Sequence, residues 1–252
     1  MYSNNTSNNH KQNGQNEGAV SLAKEIRILD LEQVRRVEKI DPHNFKVILR
    51  KANTSKKDKT NLLNEIIELR RENKILRTML FTDRMTGLGN NNKYLDDSKK
   101  IISGYVRNIE KNQSGISFVV IDGNGLKKIN DSMGHEFGDA AIKRLGLAIK
   151  NTIRESDYAY RRGNGADEFI VILENTDKNS AMRFVERLRI AVEKLNLASN
   201  DFNVSFSAGI ASMRDIDKRI LQNSNANHIQ ETLFKIADRR MYKEKHSRLS
   251  KK

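Results

Sequence analysis

The 252-residue chain has no cysteine, no tryptophan and a single proline. Without cysteine there can be no disulfide scaffold, thiolate zinc site or cysteine nucleophile, and the composition fits a reducing compartment. Long apolar runs are also missing. The longest, roughly residues 116–121, is interrupted by Ser117 and falls far short of the ~20 residues that a membrane helix needs. The amino terminus, MYSNNTSNNHKQNGQNEG, lacks the apolar core of a secretory signal. A soluble, cytoplasmic protein with no membrane partner is therefore expected. Apolar side chains make up 37% of the chain, and even with its 14 glycines this is slightly under the globular norm of roughly 45–50%. A core is affordable, but part of the chain must lie outside it. The length suits one medium domain with an appendage, or two small domains.

Positive charge is abundant, with 46 Lys and Arg against 32 Asp and Glu and a formal net charge of +14. It is spread along the chain. Residues 1–80 hold 16 basic and 10 acidic side chains, and no block dominates. The densest patches, KKDK at 56–59 and RRMYKEKHSRLSKK at 239–252, contain few aromatics and no nucleic-acid module. They read as a solvated basic surface, whose field also attracts nucleoside triphosphates. Nucleic acid is not expected as a partner.

Residues 1–19 have almost nothing to bury and read as a disordered tail. Residues 20–60 form a helical and linker region of unknown role. Leu22, Ile26 and Leu29 fall at helical spacing and Asp41-Pro42 breaks the pattern. FKVILRK at 45–51 fits a short strand or a helix start, and NTSKKDKTN at 53–61 reads as a linker. Over 61–81 the pattern sharpens: Leu62, Ile66, Leu69, Asn73, Leu76 and Leu80 recur at intervals of 4 and 3. With Ile66 at a, Leu69 and Leu76 at d, and a lone Asn73 at a, this is the seam of a parallel two-stranded coiled coil. Glu65 and Glu72 fall at g, and Arg70 and Arg77 fall at e, where a parallel partner presents them. A homodimer through this coiled coil is expected; the plainer alternative is an amphipathic helix packed on its own domain.

The remainder, 82–252, reads as helix (91–110), strand (116–122), helix (136–152), strand (157–162), strand (168–173), helix (178–195), strand (203–210) and helix (229–245). The core order βαββαβ is the split βαβ, ferredoxin-like arrangement of the α+β class. ISFVVID ends in Asp122, followed by Gly123-Asn124-Gly125; RRGNGADEFIVIL is a hairpin whose glycine-rich turn runs into Asp167 and Glu168. An acid at a strand tip beside a glycine turn lets a cation and phosphates approach bare backbone. Mg²⁺ takes a couple of carboxylates plus phosphate oxygens, so Asp122 with Asp167 and Glu168 suffices for a nucleotide-bound site. Surface acids on an ordinary hairpin turn explain the same spacing.

Four stretches taken together resemble the GGDEF domain of diguanylate cyclases. They are TDRMTGLGN at 82–90, IDGNGLKKINDSMGHEFGD at 121–139, GNGADEF at 163–169 and IADRRMYKEK at 236–245. The resemblance covers residues 82–245 and implies a nucleotide-cyclase-type domain of a bacterial signalling enzyme. It implies condensation of two GTP to cyclic di-GMP and two pyrophosphates across a homodimer. It implies Mg²⁺ or Mn²⁺ held by Asp122 and Asp167, with the Gly123 carbonyl assisting. Glu168 is implied to hold metal or activate the 3′-hydroxyl. Asn130 and Asp139 are implied to read the guanine edge, and Lys127 and Lys245 to touch phosphates, with Gly163, Gly165 and Ala166 forming the substrate loop. Capping around Gly134 and Gly138 is the structural alternative for Asn130 and Asp139. Arg154 and Asp157 match the family's inhibitory Arg-x-x-Asp motif, which implies a cyclic di-GMP product site. A helix-end Arg followed by a strand-initiating Asp is the plain reading.

Three departures stand out. Gly163-Asn164-Gly165-Ala166 replaces the usual Gly-Gly pair, either as a two-residue insertion with Ala166 for the second glycine, or with Gly165-Ala166 as the pair. The opening motif has Asn91-Asn92 where a basic pair is common. The last helix runs on as Lys245-His246-Ser247-Arg248 without a glycine. A catalytically inactive receptor for cyclic di-GMP or GTP is the competing functional expectation.

Overall fold

The computed structural model describes residues 56–108, 115–163, 167–199 and 201–249. The expectations for 1–19, 20–40 and 45–51, and those for Gly165 and Ala166, lie outside the described residues. The chain divides into two compact units, residues 1–76 and 77–252. Helix α1 (Lys56–Phe81) begins inside the stretch read as a linker, because KKDKT offers good helix formers and nothing after Ser55 breaks the pattern. Its Leu69 and Leu80 are exposed on the expected seam, as are Ile67, Ile75 and Met79 off it. Asn73 donates its amide to the Leu69 carbonyl of its own helix at 2.8 Å.

The second unit continues with α2 (Asn91–Arg107), β1 (Ile116–Gly123), α3 (Leu126–Met133), α4 (His135–Thr152), β2 (Tyr158–Arg162) and β3 (Glu168–Glu174). These are followed by α5 (Lys178–Leu197), β4 (Phe206–Ser212), a 3₁₀ turn (Met213–Asp215), α6 (Lys218–Asn223) and α7 (Ala226–Leu249). The strands form one sheet in the order β2-β3-β1-β4, with every neighbouring pair antiparallel. This is the α+β, ferredoxin-like arrangement expected from the element order.

The sheet is covered on both faces, which explains why β1 and β3 read as continuous apolar runs rather than alternating ones. Phe118, Val120, Ile170 and Ile172 share a core with Ile102 of α2 and Leu233 of α7. Val119, Ile121, Phe169 and Val171 share the other with Leu145 of α4 and Phe184 of α5. Each such side chain contributes about 1.5–3 kcal/mol on full burial, so these central strands are rigid supports for whatever their tips carry. Asn90 caps α2 by accepting from the Lys93 N–H at 3.1 Å, and Asp177 caps α5 through the Ser180 N–H at 2.8 Å.

Strand β4 is an edge, and side chains close it. Arg189 donates to the Phe206 carbonyl (3.3 Å), Glu244 accepts from the Ala208 N–H (2.7 Å), Arg240 donates to the Ile210 carbonyl (2.6 Å) and Asp215 accepts from the Ser212 N–H (2.9 Å). One outward-facing backbone group at every second residue is thus satisfied, which hinders pairing with a further strand. The hydrogen bond from Arg240 holds the Asp215 carboxyl below the usual carboxylate range. The TDRMTGLGN motif forms a turn clamped to the opposite edge. Asp83 accepts from Thr86 N and Oγ1 (2.9 and 2.7 Å) and pairs with the buried Arg161 of β2 at 3.2 Å, while Gly89 bonds Ala159 and Arg161 through its backbone.

Three differences from the sequence expectation have local causes. Helix α3, read only as motif, forms between two left-handed glycines, Gly125 (φ +73°) and Gly134 (φ +99°), and is too short to show a clear period. Strand β4 starts at Phe206 rather than 203 because the Asn196 side chain takes both backbone groups of Val204, at 2.9 and 2.8 Å, away from the ladder. The helical turn α6, too short to show a period in the sequence, follows an Asp217 cap whose side chain accepts from the Arg219 N–H. Among the described residues, no helix is long and apolar enough to cross a membrane.

Candidate functional site

The tips of β1 and β3 meet. Asp122 lies opposite Glu168 in the register and opposite Ser207 on the other side, and the Gly123 N–H donates to the Asp167 carbonyl at 3.0 Å. A β-carbon on Gly123 would lie 3.3 Å from that of Asp167, so glycine permits the approach. Asp122 is buried, and the Lys245 ammonium, reaching in from α7, donates to its Oδ1 at 2.5 Å. Burial, followed by the charge of Asp122, pushes the half-buried Asp167 carboxyl above the usual carboxylate range. Burial also raises Glu168, and Arg162 opposes that rise from 3.5 Å away. Carboxylates crowded in this way favour an arriving cation.

The donors at these tips are the hard oxygens of Asp122, Asp167 and the Gly123 carbonyl, which suit Mg²⁺ or Mn²⁺. Among the described residues, no three His, Cys, Asp or Glu side chains are disposed to hold a metal ion by themselves. An ion at these oxygens therefore needs ligands from elsewhere, as Mg²⁺ sites that share phosphate oxygens do. Gly163 leaves β2 with φ +83°, a conformation that favours glycine, and leads into residues 164–166, which lie outside the described residues.

The predicted base-reading pair occupies the next two helices. Asn130 lies on α3, and its buried Oδ1 has no hydrogen-bond partner among the described residues. Gly138 on α4 makes room for this amide: a β-carbon there would fall 1.8 Å from Oδ1. Asp139 follows, exposed, and Lys127 is exposed on α3. A buried amide oxygen without a partner costs free energy unless a ligand donor meets it. The Gly134 N–H donates to the Asn130 carbonyl at 2.9 Å, and no side chain caps α4 at Gly134.

At the far end of the sheet, Arg154 and Asp157 line a separate cavity of about 90 Å³ with Asn175, Ser180, Arg183 and Arg187. The Arg154 N–H donates to Asp157 Oδ2 at 3.0 Å, and the buried Oδ1 has no partner among the described residues. Arg183 and Arg187 of α5 carry no sequence signal, since helix-surface arginines are common. Arg162, whose guanidinium stacks 3.9 Å from the Phe234 ring beside Glu168, likewise carries no sequence signal. Ser205 and Ser207 belong to no motif, yet with Asn124 they tie the β1 turn to β4 at 3.3 and 2.9 Å.

Residues 80–251 match the family model described as "Diguanylate cyclase, GGDEF domain". The chain belongs to the GGDEF-domain family. Curated relatives include the probable diguanylate cyclase DgcJ of Escherichia coli K12, 32% identical over 170 residues. The match covers 68% of this chain and 30% of that protein. Another is the diguanylate cyclase DosC of the same strain, 32% identical over 187 residues, covering 72% of this chain and 37% of DosC. The chain thus spans about a third of the length of these relatives. Among solved structures, the coiled coil and GGDEF domain of DgcB from Caulobacter crescentus, in complex with c-di-GMP, superposes with a TM-score of 0.60. The identity is 21%, over 75% of this chain and 92% of that one. The isolated GGDEF domain of TpbB (YfiN) from Pseudomonas aeruginosa gives 0.52 at 25% identity, over 66% and 89%. These likenesses establish the GGDEF fold.

Proposed function

We propose that this GGDEF protein is an active diguanylate cyclase that joins two GTP into cyclic di-GMP. In each half of the reaction a 3′-hydroxyl oxygen bonds to the α-phosphorus of the other nucleotide. The α–β phosphoanhydride bond breaks, pyrophosphate leaves, and the hydroxyl proton passes to Glu168. Two bonds form and two break. Asp122, Asp167 and the Gly123 carbonyl hold Mg²⁺ or Mn²⁺, which when bound supplies Lewis-acid stabilisation of phosphoryl charge. Asn130 and Asp139 orient the base, an amide and a carboxylate together complementing guanine's acceptor and its N1 and N2 donors. Lys127 and Lys245 meet phosphate oxygens as point charges, and Gly163 with Gly165 and Ala166 carries the loop over them. Because the substrate is GTP, the site of action is the cytoplasm.

The meeting of Asp122-Gly123 with Asp167-Glu168 at adjoining strand tips is the observation that carries this reading. Purified protein with GTP and Mg²⁺ tests it: cyclic di-GMP is the expected product, and a folded dimer that forms none contradicts it. A receptor that binds without turnover is the second reading, favoured by the Gly163-Asn164-Gly165-Ala166 departure. It is separated from the first by GTP or cyclic di-GMP binding in the absence of product.

One subunit holds one GTP, so two must face each other, and the 61–81 seam ahead of the 82–252 domain is our candidate for bringing them together. Leu69→Lys is expected to yield monomers by light scattering and at least tenfold less product, since a buried lysine at d opposes pairing. An unchanged mass would argue against this seam. Product inhibition is assigned to the Arg154 and Asp157 cavity, where the unpartnered Asp157 oxygen can accept from guanine and Arg154 can fork onto an acceptor. Arg154→Ala should weaken cyclic di-GMP affinity about tenfold or more and relieve inhibition; calorimetry with the product checks both.

A further inference from the structure

The first turn of α4 presents Gly138 to Asn130 and carries Asp139, so whatever fixes that turn fixes the proposed base-reading pair. Its own backbone holds it weakly. Gly134 offers no side chain to cap it, and the opening bonds from the Phe137 and Gly138 N–H groups to the Gly134 carbonyl are 3.2 and 3.5 Å long. The support comes from outside the helix. The Phe137 ring meets Phe202, on the α5–β4 connection, edge to face at 5.9 Å. The guanidinium of Arg144, two turns along α4 from Phe137, lies 4.2 Å from the Phe202 ring. Arg144 also donates to the Phe202 carbonyl at 2.7 Å, to Asn196 Oδ1 at 3.5 Å and to Ser199 Oγ. Phe202 is thereby held between two residues of α4, with its backbone tied by one of them. Cation–π and edge-to-face contacts of this kind are specific in geometry and fix a ring rather than merely bury it.

We propose that Arg144 is a positioning residue for base recognition, acting through Phe202 and Phe137 to hold the α4 turn against Asn130. The proposal rests on the guanine-reading role given above to Asn130 and Asp139. It implies that losing Arg144 loosens selectivity for the base rather than the chemistry at the strand tips, which β1 and β3 support independently.

The test uses the full-length chain with Arg144→Met, Arg144→Lys and Phe202→Ala. For Arg144→Met, KM for GTP should rise about tenfold while kcat changes far less, the pattern of lost ground-state and transition-state binding. The preference for GTP over inosine triphosphate, which lacks the 2-amino group, should shrink. Arg144→Lys, which keeps a cation and a donor, should recover part of both effects, and Phe202→Ala should reproduce Arg144→Met. A purely structural role would lower the melting temperature and leave the GTP to ITP ratio unchanged; that result overturns the proposal. Hydrogen exchange at residues 135–139 gives a readout that needs no nucleotide: it should speed up in Arg144→Met relative to the wild type. If the wild type takes no GTP, the function reading fails, and unchanged exchange in that turn sinks the brace on its own. Should Arg144→Met not fold, Arg144→Lys and Phe202→Ala decide by the same measurements.

Discussion

Asp167→Ala is expected to reduce cyclic di-GMP formation by about a thousandfold or more, to the limit of detection by chromatography. In the proposed reaction this carboxylate helps hold the cation that stabilises phosphoryl charge, and losing about 4 kcal/mol of transition-state stabilisation corresponds to about three orders of magnitude. The fold should not suffer. Burial and the neighbouring Asp122 charge raise the Asp167 carboxyl above its ordinary range, so its ionised form is disfavoured in the folded state. A folded-state pKa above the unfolded value means the acid opposes folding as pH rises above its ordinary, unfolded value. Removing it should therefore leave the melting temperature at neutral pH unchanged or slightly higher. Lost activity at retained stability is the signature of a group kept for function.

Gly209→Ala has the opposite profile and should give the largest stability loss. Helix α7 crosses β4 so closely that a β-carbon at residue 209 would fall 1.9 Å from the Ala237 carbonyl oxygen and 2.3 Å from the Met241 nitrogen. Both are backbone atoms of a helix, so no side-chain rotation relieves the overlap and the helix itself must shift. Overpacking of this kind costs about 3 kcal/mol, which in a domain of this size lowers the melting temperature by roughly 6–12 °C. The shift also displaces Lys245 from Asp122, and activity should fall at temperatures where the variant is still folded. Gly104, inside α2, is the control. A β-carbon there meets nothing within 4 Å, and Gly104→Ala should stabilise by about 0.5–1 kcal/mol. Thermal melts of the two variants, monitored by circular dichroism, check both directions.

What the sequence made legible follows from how strongly each residue is constrained. The runs ISFVVI and FIVIL read as buried strands, and their order with the long helices gives the βαββαβ arrangement that the antiparallel sheet bears out. Asp122 stands out because it ends an apolar run and adjoins Gly123, and Asp167 because it follows a glycine-rich turn and, with Glu168, opens the run FIVIL. Other features depend on contacts between distant segments that leave no periodic trace. The α5–β4 junction reads as strand from 203, yet one asparagine, Asn196, captures Val204 and delays the strand. Arg162 reads as one more cation beside a turn, and only the fold sets it between Phe234 and Glu168. The side chains that close the β4 edge come from α5, α7 and the 3₁₀ turn, and no local pattern joins them. In the same way, Phe202 acquires a meaning only once the α5–β4 connection is seen packed against α4.

In the proposed function, oxygens at two adjoining strand tips grip a divalent cation together with a nucleoside triphosphate. Calorimetric titration of the full-length chain with a non-hydrolysable GTP analogue, with and without Mg²⁺, tests it most directly. One nucleotide should bind per chain, the binding should depend on Mg²⁺, and that dependence should be lost in Asp122→Asn and Asp167→Ala. Nucleotide affinity that ignores both Mg²⁺ and these two carboxylates would contradict it.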